Sequence, residues 1–171
     1  IVRENNQADH HQDPLCRRQH RQFLRLLHKQ LLQIDGAIHQ LIHQSRSLTA
    51  AQQLLASVSG VGPHTSAVLL GHMPELGRSS RAQITALAGL APYDRDSGKR
   101  SATRFIQGGR AAVRRALYLA ALSASRHNPI LKDQYLKLRS RGKTAKVALI
   151  AIARKLLLHL NSLLQTFYAN C

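Results

Sequence analysis

The sequence predicts an all-α protein in which a long, coiled-coil-like helix precedes a compact helical domain. The apolar share of 44 % is carried by Leu, Ala, Ile and Val, with three Phe, four Tyr and no Trp. Such a composition favours helices over sheets. Apolar residues also recur at helical spacing near both ends of the chain. Between them, residues 89–110 show neither a helical nor a strand period, which predicts a long basic loop.

Residues 1–14 are polar and predict a tail or linker, and residues 15–48 predict one amphipathic helix. Its apolar positions follow steps of three and four, which form a heptad seam. The seam comprises Leu24, Leu27, Leu31, Ile34, Ile38 and Leu41. Two interpretations stay open: an antiparallel hairpin or intermolecular coiled coil, or an amphipathic helix packed on the domain's own core. A homo-oligomer joined through this helix is the expected assembly.

Residues 49–171 predict the helical domain, which begins with a helix-hairpin-helix over residues 49–72. Thr49 and Gln52 have the spacing of a capping box that opens its first helix. Gly60 and Gly62 allow a positive φ and a close backbone approach, and Pro63 suits a first helical turn. Backbone N–H groups at such a hairpin can bind a DNA phosphate. A plain corner between two helices needs the same glycines.

Four further helical segments are predicted downstream. A capping box at Ser80 and Gln83 opens a short helix that Gly89 ends. Asn128–Pro129 separates a helix at 111–126 from one at 130–138. A basic turn at 139–143 then precedes the last helix at 144–167. The C-terminal helices therefore occupy 111–168. The predicted buried faces are Val113, Leu117, Ala120, Ala121 and Ala124 in the first of these, and Val147, Ile150, Ile152, Leu156, Leu157, Leu160, Leu163 and Leu164 in the last.

The charge predicts a polyanionic partner. Lys and Arg number 25 against 8 Asp and Glu, which gives a net charge of +17, and DNA is the expected ligand. Cys16 and Cys171 form neither a disulfide framework nor a metal-ligand pair, so a reducing compartment is expected. With no signal peptide and no membrane span evident, the sequence predicts a cytoplasmic protein.

The basic loop carries the candidate nucleophile, Ser97. Gly98 leaves its hydroxyl accessible, and a hydroxyl among cations suits attack on a phosphodiester. Tyr93 is a rival nucleophile, and a loop serine is also an ordinary turn residue. The flanking cations expected to stabilise the transition state are Arg95, Lys99, Arg100 and Arg104.

Five more cations are candidate phosphate ligands. Arg110, Arg114 and Arg115 crowd the start of the helix at 111, where positive charge opposes the helix dipole unless an anion is bound. Arg141 and Lys143 lie in the basic turn, which is either a phosphate clamp or a solvated loop.

A complete metal site is not expected within this chain. A two-metal nuclease needs three or four clustered carboxylates. Only Asp94 and Asp96 lie near one another in the sequence. No cofactor is therefore predicted here, and the ligands of any catalytic metal would lie mainly outside these residues.

Three segments together resemble the C-terminal transposase domain of the IS110 family of insertion-sequence transposases, which includes the pilin-gene inverting recombinases. The similarity covers about residues 54–164, and the preceding helix matches the family's coiled-coil linker. The matching motifs are Val58-Ser59-Gly60-Val61-Gly62-Pro63 with Ala67 and Leu69-Leu70, Leu87-Ala88-Gly89-Leu90-Ala91-Pro92 with Ser97-Gly98-Lys99, and Arg114-Arg115-Ala116-Leu117 with Ala120, His127-Asn128-Pro129 and Lys146-Val147-Ala148-Leu149.

The resemblance implies a DNA recombinase in which Ser97 is the nucleophile. It also implies an upstream RuvC-like domain that holds Mg²⁺ and a structured noncoding guide RNA as partner. Where relatives typically have Ile-Ser-Lys-Arg-Gly-Asn, this chain has Phe105-Ile106-Gln107-Gly108-Gly109-Arg110, so two side-chain cations are missing.

The sequence is therefore consistent with three functions. The first is the catalytic-serine part of a transposase, inactive as an isolated chain. The second is a non-catalytic helix-hairpin-helix DNA-binding module, with all chemistry in a missing nuclease domain. The third is a basic structural RNA-binding protein, which would not explain the Ser-Gly loop.

Overall fold

The computed structural model describes residues 13–93 and 105–170, with the backbone alone at 93 and 105. In these residues the chain forms seven helices and one pair of two-residue strands, which confirms the predicted all-α class. The chain divides into two compact units, one ending at Arg46 and one beginning at Ser47. The elements are α1 (Pro14–His43), α2 (Arg46–Ala56), α3 (Pro63–His72), α4 (Arg81–Leu87), β1 (Pro92–Tyr93), β2 (Phe105–Ile106), α5 (Ala111–His127), α6 (Pro129–Ser140) and α7 (Ala145–Ala169).

The first unit is dominated by α1, a single helix of 30 residues. Asp13 caps it, with its Oδ1 accepting the Leu15 N–H at 2.7 Å. The helix ends at His43, about one turn before the predicted boundary at 48. Apolar residues of the predicted seam remain largely exposed, including Ile34 at 61 % and Leu41 at 63 %.

The predicted capping box of Thr49 and Gln52 is wrong. Helix α2 already begins at Arg46, so both residues lie inside it. Ser45, directly before this helix, is also a residue type that favours the N-cap position. Helix initiation there places Thr49 a turn too late to act as the cap.

The second unit is built around α7, which packs against α4, α5 and α6, while α3 packs against α5. The predicted buried face of α5 is confirmed, with Val113, Leu117 and Ala121 all at 0 % exposure. In α7 the predicted Ile152, Leu156, Leu157, Leu160 and Leu164 are buried, whereas Ile150 and Leu163 are partly buried. Val147 is exposed, at 52 %, because a groove separates the first turns of α7 from β1 and β2.

By length and composition α7 could span a membrane. Half of its most apolar window is buried inside the fold, however. Packing against the other helices of the second unit therefore accounts for its apolar character.

Buried Asn161, which the sequence analysis missed, fixes the turn between α3 and α4 onto α7. The side chain is 1 % exposed. Its Oδ1 accepts the Gly77 N–H at 2.8 Å, and its Nδ2 donates to the Ser79 carbonyl at 3.1 Å. The predicted capping box of Ser80 and Gln83 follows directly and is confirmed. This turn carries Glu75, which contributes to the candidate site.

Candidate nucleic-acid interface

Three glycines hold the two ends of the predicted basic loop together. Gly89 ends α4 as predicted and has a φ of +66°, while Gly108 and Gly109 both have a φ of +67°. A Cβ added to Gly109 would overlap the backbone of Gly89, so only glycine permits this contact. Next to it, the Arg110 N–H donates to the Leu87 carbonyl at 2.8 Å. We call Gly89, Gly108 and Gly109 the glycine clasp.

Beyond the clasp, β1 and β2 pair antiparallel, with Pro92 opposite Ile106 and Tyr93 opposite Phe105. The expectation that residues 89–110 lack regular structure is therefore wrong at these two positions. Strands of two residues are too short to show an alternating pattern in the sequence. The pairing brings together the two points from which residues 94–104 depart.

The predicted nucleophile and its nearest cations lie outside the described residues. These are Ser97, Arg95, Lys99, Arg100 and Arg104, and Asp94 and Asp96 lie there as well. Their roles stay predictions. The structure describes the base from which they extend.

Arg110 forms a bidentate ion pair with Glu75, at 2.6 Å for each of its two hydrogen bonds. Both side chains are about one third exposed. Hydrogen bonds from Arg110 lower the pKa of Glu75 to about 2, and the same contact raises the pKa of Arg110. This pair ties the start of α5 to the turn before α4. Contact of Arg110 with a nucleic-acid phosphate stays a prediction.

The next two arginines of α5 differ in their surroundings. Arg114 donates from Nη1 to the Gly108 carbonyl and so braces the glycine clasp. Arg115 is exposed and forms no ion pair with any residue that the structure describes. No side chain caps the start of α5, and no acidic residue lies in its first turn. Arg115 and this N-terminus therefore present positive potential beside the clasp.

Arg141 and Lys143 occupy an exposed turn between α6 and α7. Gly142 allows the turn with a φ of +75°, and the Lys143 carbonyl accepts from Arg139 Nη1 at 2.9 Å. The side chains of Arg141 and Lys143 project into solvent, as either of the two predicted roles requires.

Gly60 and Gly62, predicted as equivalent hairpin glycines, serve different purposes. Gly60 has a φ of +102°, and a Cβ there would lie 2.6 Å from the Cβ of Ala124. Gly62 has a φ of −92° and occupies the N-cap position of α3, so it does not use the positive φ that a glycine allows. No atom lies within 4 Å of a Cβ built on Gly62, and its corner is open. A phosphate contact there stays a prediction.

A groove of about 440 Å³ lies between the strand pair and the beginning of α7. The sequence does not predict this groove, because Val147 and Ile150 fit the apolar period of a buried helix face. The groove is lined by Leu90, Pro92, Ile106, Lys146, Val147, Ile150, Ala151 and Arg154.

Within 13–93 and 105–170, no three His, Cys, Asp or Glu side chains form a group that could hold a metal ion.

Known proteins similar to this chain come from insertion elements and a DNA-inverting system. A family model described as Transposase IS116/IS110/IS902 family matches residues 52–136. An IS110 insertion-element protein of 43.6 kDa from Streptomyces coelicolor is 32 % identical over 152 residues, covering 86 % of this chain and 36 % of that protein. The pilin gene-inverting proteins of Moraxella bovis and Moraxella lacunata are each 34 % identical over 134 residues, covering 74 % of this chain and 41 % of theirs.

This chain thus spans between about a third and two fifths of the length of these relatives. The matched region includes α3, α4, the glycine clasp and α5. On this similarity, the chain belongs to the IS116/IS110/IS902 family of transposases and corresponds to its C-terminal region.

Proposed function

We propose that this chain binds DNA and supplies Ser97 as the nucleophile of a transposase or site-specific recombinase. The observation that carries the proposal is the base of residues 94–104, which we call the serine segment. The glycine clasp and the β1–β2 pair join the two ends of residues 94–104. A segment anchored at both ends presents its side chains with less loss of conformational entropy than a free one.

The electrostatic surroundings of this base support phosphate binding. The start of α5 lacks a side-chain cap and an acidic residue, and exposed Arg115 lies in its first two turns. A phosphate gains from both the helix dipole and the guanidinium. The chain's net charge of +17 adds long-range attraction for a nucleic acid.

The proposed chemistry is a transesterification. Ser97 Oγ attacks the DNA phosphorus and loses its proton to a general base, while the leaving DNA oxygen takes up a proton as its ester bond breaks. The phosphodiester is thereby kept as a serine–DNA phosphoester. A DNA hydroxyl can then attack this phosphorus and displace Ser97 Oγ, which takes up a proton. Arg95, Lys99, Arg100 and Arg104 would stabilise the charge that develops on the phosphoryl oxygens.

Further components lie outside this chain in the proposal. Mg²⁺ would be held by carboxylates of a RuvC-like domain elsewhere in the full-length protein, and a noncoding RNA would guide target choice. The exposed apolar seam of α1 would be buried by a second copy in a coiled coil, which makes the working form a homo-oligomer. The site of action would be the cytoplasm.

Replacement of Ser97 tests the proposal directly. In the full-length protein, Ser97→Ala is expected to reduce strand cleavage about a thousandfold or more, because the nucleophile is lost. DNA affinity should stay within about twofold, and no covalent adduct should form on a suicide substrate. Ser101→Ala, in the same segment, is the matched control and should cleave normally. Normal recombination by Ser97→Ala would show that the assignment is wrong.

A non-catalytic DNA-binding module is the second candidate. The open, extended Gly62 at the start of α3 favours it, because this helix N-terminus can bind a phosphate without any nucleophile. A full-length protein that cleaves DNA through an adduct located outside this chain, or without any adduct, would favour this candidate.

A further inference from the structure

The groove beside the β1–β2 pair combines an apolar floor with a basic rim. Leu90 is 1 % exposed at its base, whereas Val147 is 52 % exposed on the α7 side. Pro92 and Ile106, paired across β1 and β2, form the opposite wall. Apolar surface left open in this way is available to a ligand with a flat apolar face.

The two cations of the groove lie on one face of α7. Lys146 and Arg154 are eight positions apart in the helix, a separation of about 12 Å along its axis. Ile150 lies midway between them on the groove wall. Neither cation forms an ion pair with any residue of 13–93 or 105–170. Two long cationic side chains on either side of an apolar wall suit a ligand that has an apolar centre between anionic groups.

The start of α7 adds to this positive potential at the same end of the groove. Thr144 occupies the N-cap position but makes no capping hydrogen bond, and no acidic residue lies in the first turn. The amide groups of Lys146 and Val147 belong to this turn. Such amides and a neighbouring lysine together favour the binding of an anion such as phosphate.

We propose that the groove binds one unpaired DNA nucleotide next to the phosphodiester that Ser97 attacks. The base lies on Val147, Ile150 and Ile106, and its phosphates contact Lys146 and Arg154. This inference rests on the proposed function, because the groove adjoins β1 and β2, and the segment that carries Ser97 connects these two strands in the sequence.

The size and charge of the groove argue for this occupant. Its volume of about 440 Å³ is in the range of small-molecule pockets and excludes a duplex. A nucleobase removed from its stack is commonly held between apolar side chains. The rim cations and the net charge of +17 favour a phosphate-bearing strand over an apolar peptide.

The test compares two fluorescein-labelled DNA duplexes that differ only in one central unpaired 2-aminopurine. Fluorescence anisotropy with the 171-residue chain is expected to show about tenfold tighter binding of the bulged duplex. The 2-aminopurine emission should also change on binding. Val147→Glu should remove the preference, since a carboxylate on the groove wall repels the strand.

Matched variants show whether the effect belongs to the groove. Leu119→Glu changes another exposed apolar residue, at 63 % on α5, and should keep the preference. Lys146→Gln and Arg154→Gln should each weaken binding of the bulged duplex more than of the paired one. Lys132→Gln, an exposed change of the same charge on α6, should weaken both equally.

The outcomes separate this inference from the proposed function. Equal affinity for bulged and paired duplexes, or a preference that survives Val147→Glu, overturns the nucleotide site while DNA binding stands. A stronger preference for the same bulge in RNA overturns the choice of DNA. Absence of all DNA binding by the chain contradicts both proposals.

Discussion

Among the close contacts of the second unit that depend on glycine, two differ in what surrounds them. At the corner between α2 and α3, Gly60 lies against Ala124 of α5. In the glycine clasp, Gly109 lies against Gly89 at the base of the serine segment. Both Gly60 and Gly109 have a positive φ. From the sequence alone, either glycine is consistent with a phosphate-binding hairpin.

The neighbours of the two contacts indicate different roles. The corner is flanked by buried Val58 and Val61, so Gly60 packs at the edge of the core. The clasp is flanked by Arg110 and Arg114, whose donors bind Glu75 and the Gly108 carbonyl. A glycine pattern therefore predicts a close approach of two backbone segments. The side chains around the contact determine whether it serves core packing or holds a functional site in place.

The largest expected effect comes from Gly60→Ala. A residue with a side chain pays about 1–2 kcal/mol for the positive φ, and displacement of the α5 backbone adds about 1–3 kcal/mol. We expect the free energy of unfolding to fall by about 3 kcal/mol, measured by urea denaturation with circular dichroism.

Gly62→Ala is the matched control for this variant. Its backbone is extended and no atom lies within 4 Å of the new Cβ, so the change should stay below about 1 kcal/mol. Equal destabilisation by both substitutions would remove the distinction between a packed corner and an open one.

A smaller and more local effect is expected in the clasp. Gly108 and Gly109 share a φ of +67°, but only a Cβ on Gly109 meets backbone atoms. Gly109→Ala should therefore lower the local opening free energy by about 2 kcal/mol more than Gly108→Ala. Exchange of the Arg110 amide, which bonds the Leu87 carbonyl, should be about thirtyfold faster by native-state hydrogen exchange. The same exchange rate in both variants would contradict the contact.

Local chemistry and periodicity predicted much of the fold. The buried face of α5 follows from a 3.6-residue period of apolar residues. The Ser80–Gln83 capping box follows from hydrogen bonds between side chains and backbone N–H groups three residues apart. The stop at Gly89 was predictable because a left-handed residue ends a helix most readily when it is glycine.

Features that depend on distant parts of the chain were not predictable in this way. Glu75 pairs with Arg110 only because the turn before α4 and the start of α5 meet in three dimensions. Val147 has the spacing of a core residue, yet a groove separates it from β1 and β2 on the opposite side. The candidate site was identified from residue types and family resemblance, and the roles of residues 94–104 stay predictions.

The smallest expected effect is a pH dependence of stability that comes from the ion pair beside the glycine clasp and not from the Gly60 corner. The pKa of Glu75 is lowered from 4.5 to about 2 in the folded protein by its bond to Arg110. Its contribution to stability is therefore present above pH 4.5 and is lost as the pH falls towards 2. The melting temperature of the wild type should exceed that of Glu75→Gln at pH 6, and the difference should shrink over this window.

Gly60→Ala provides the control, because the corner contact between Gly60 and Ala124 contains no titratable group. Its penalty should remain the same when Glu75→Gln loses its difference from the wild type. A Glu75→Gln difference that is constant from pH 6 to pH 2 would mean that the ion pair does not stabilise the base of the serine segment. In that case the backbone contact of Gly89 with Gly109 would have to hold this base without help from charge.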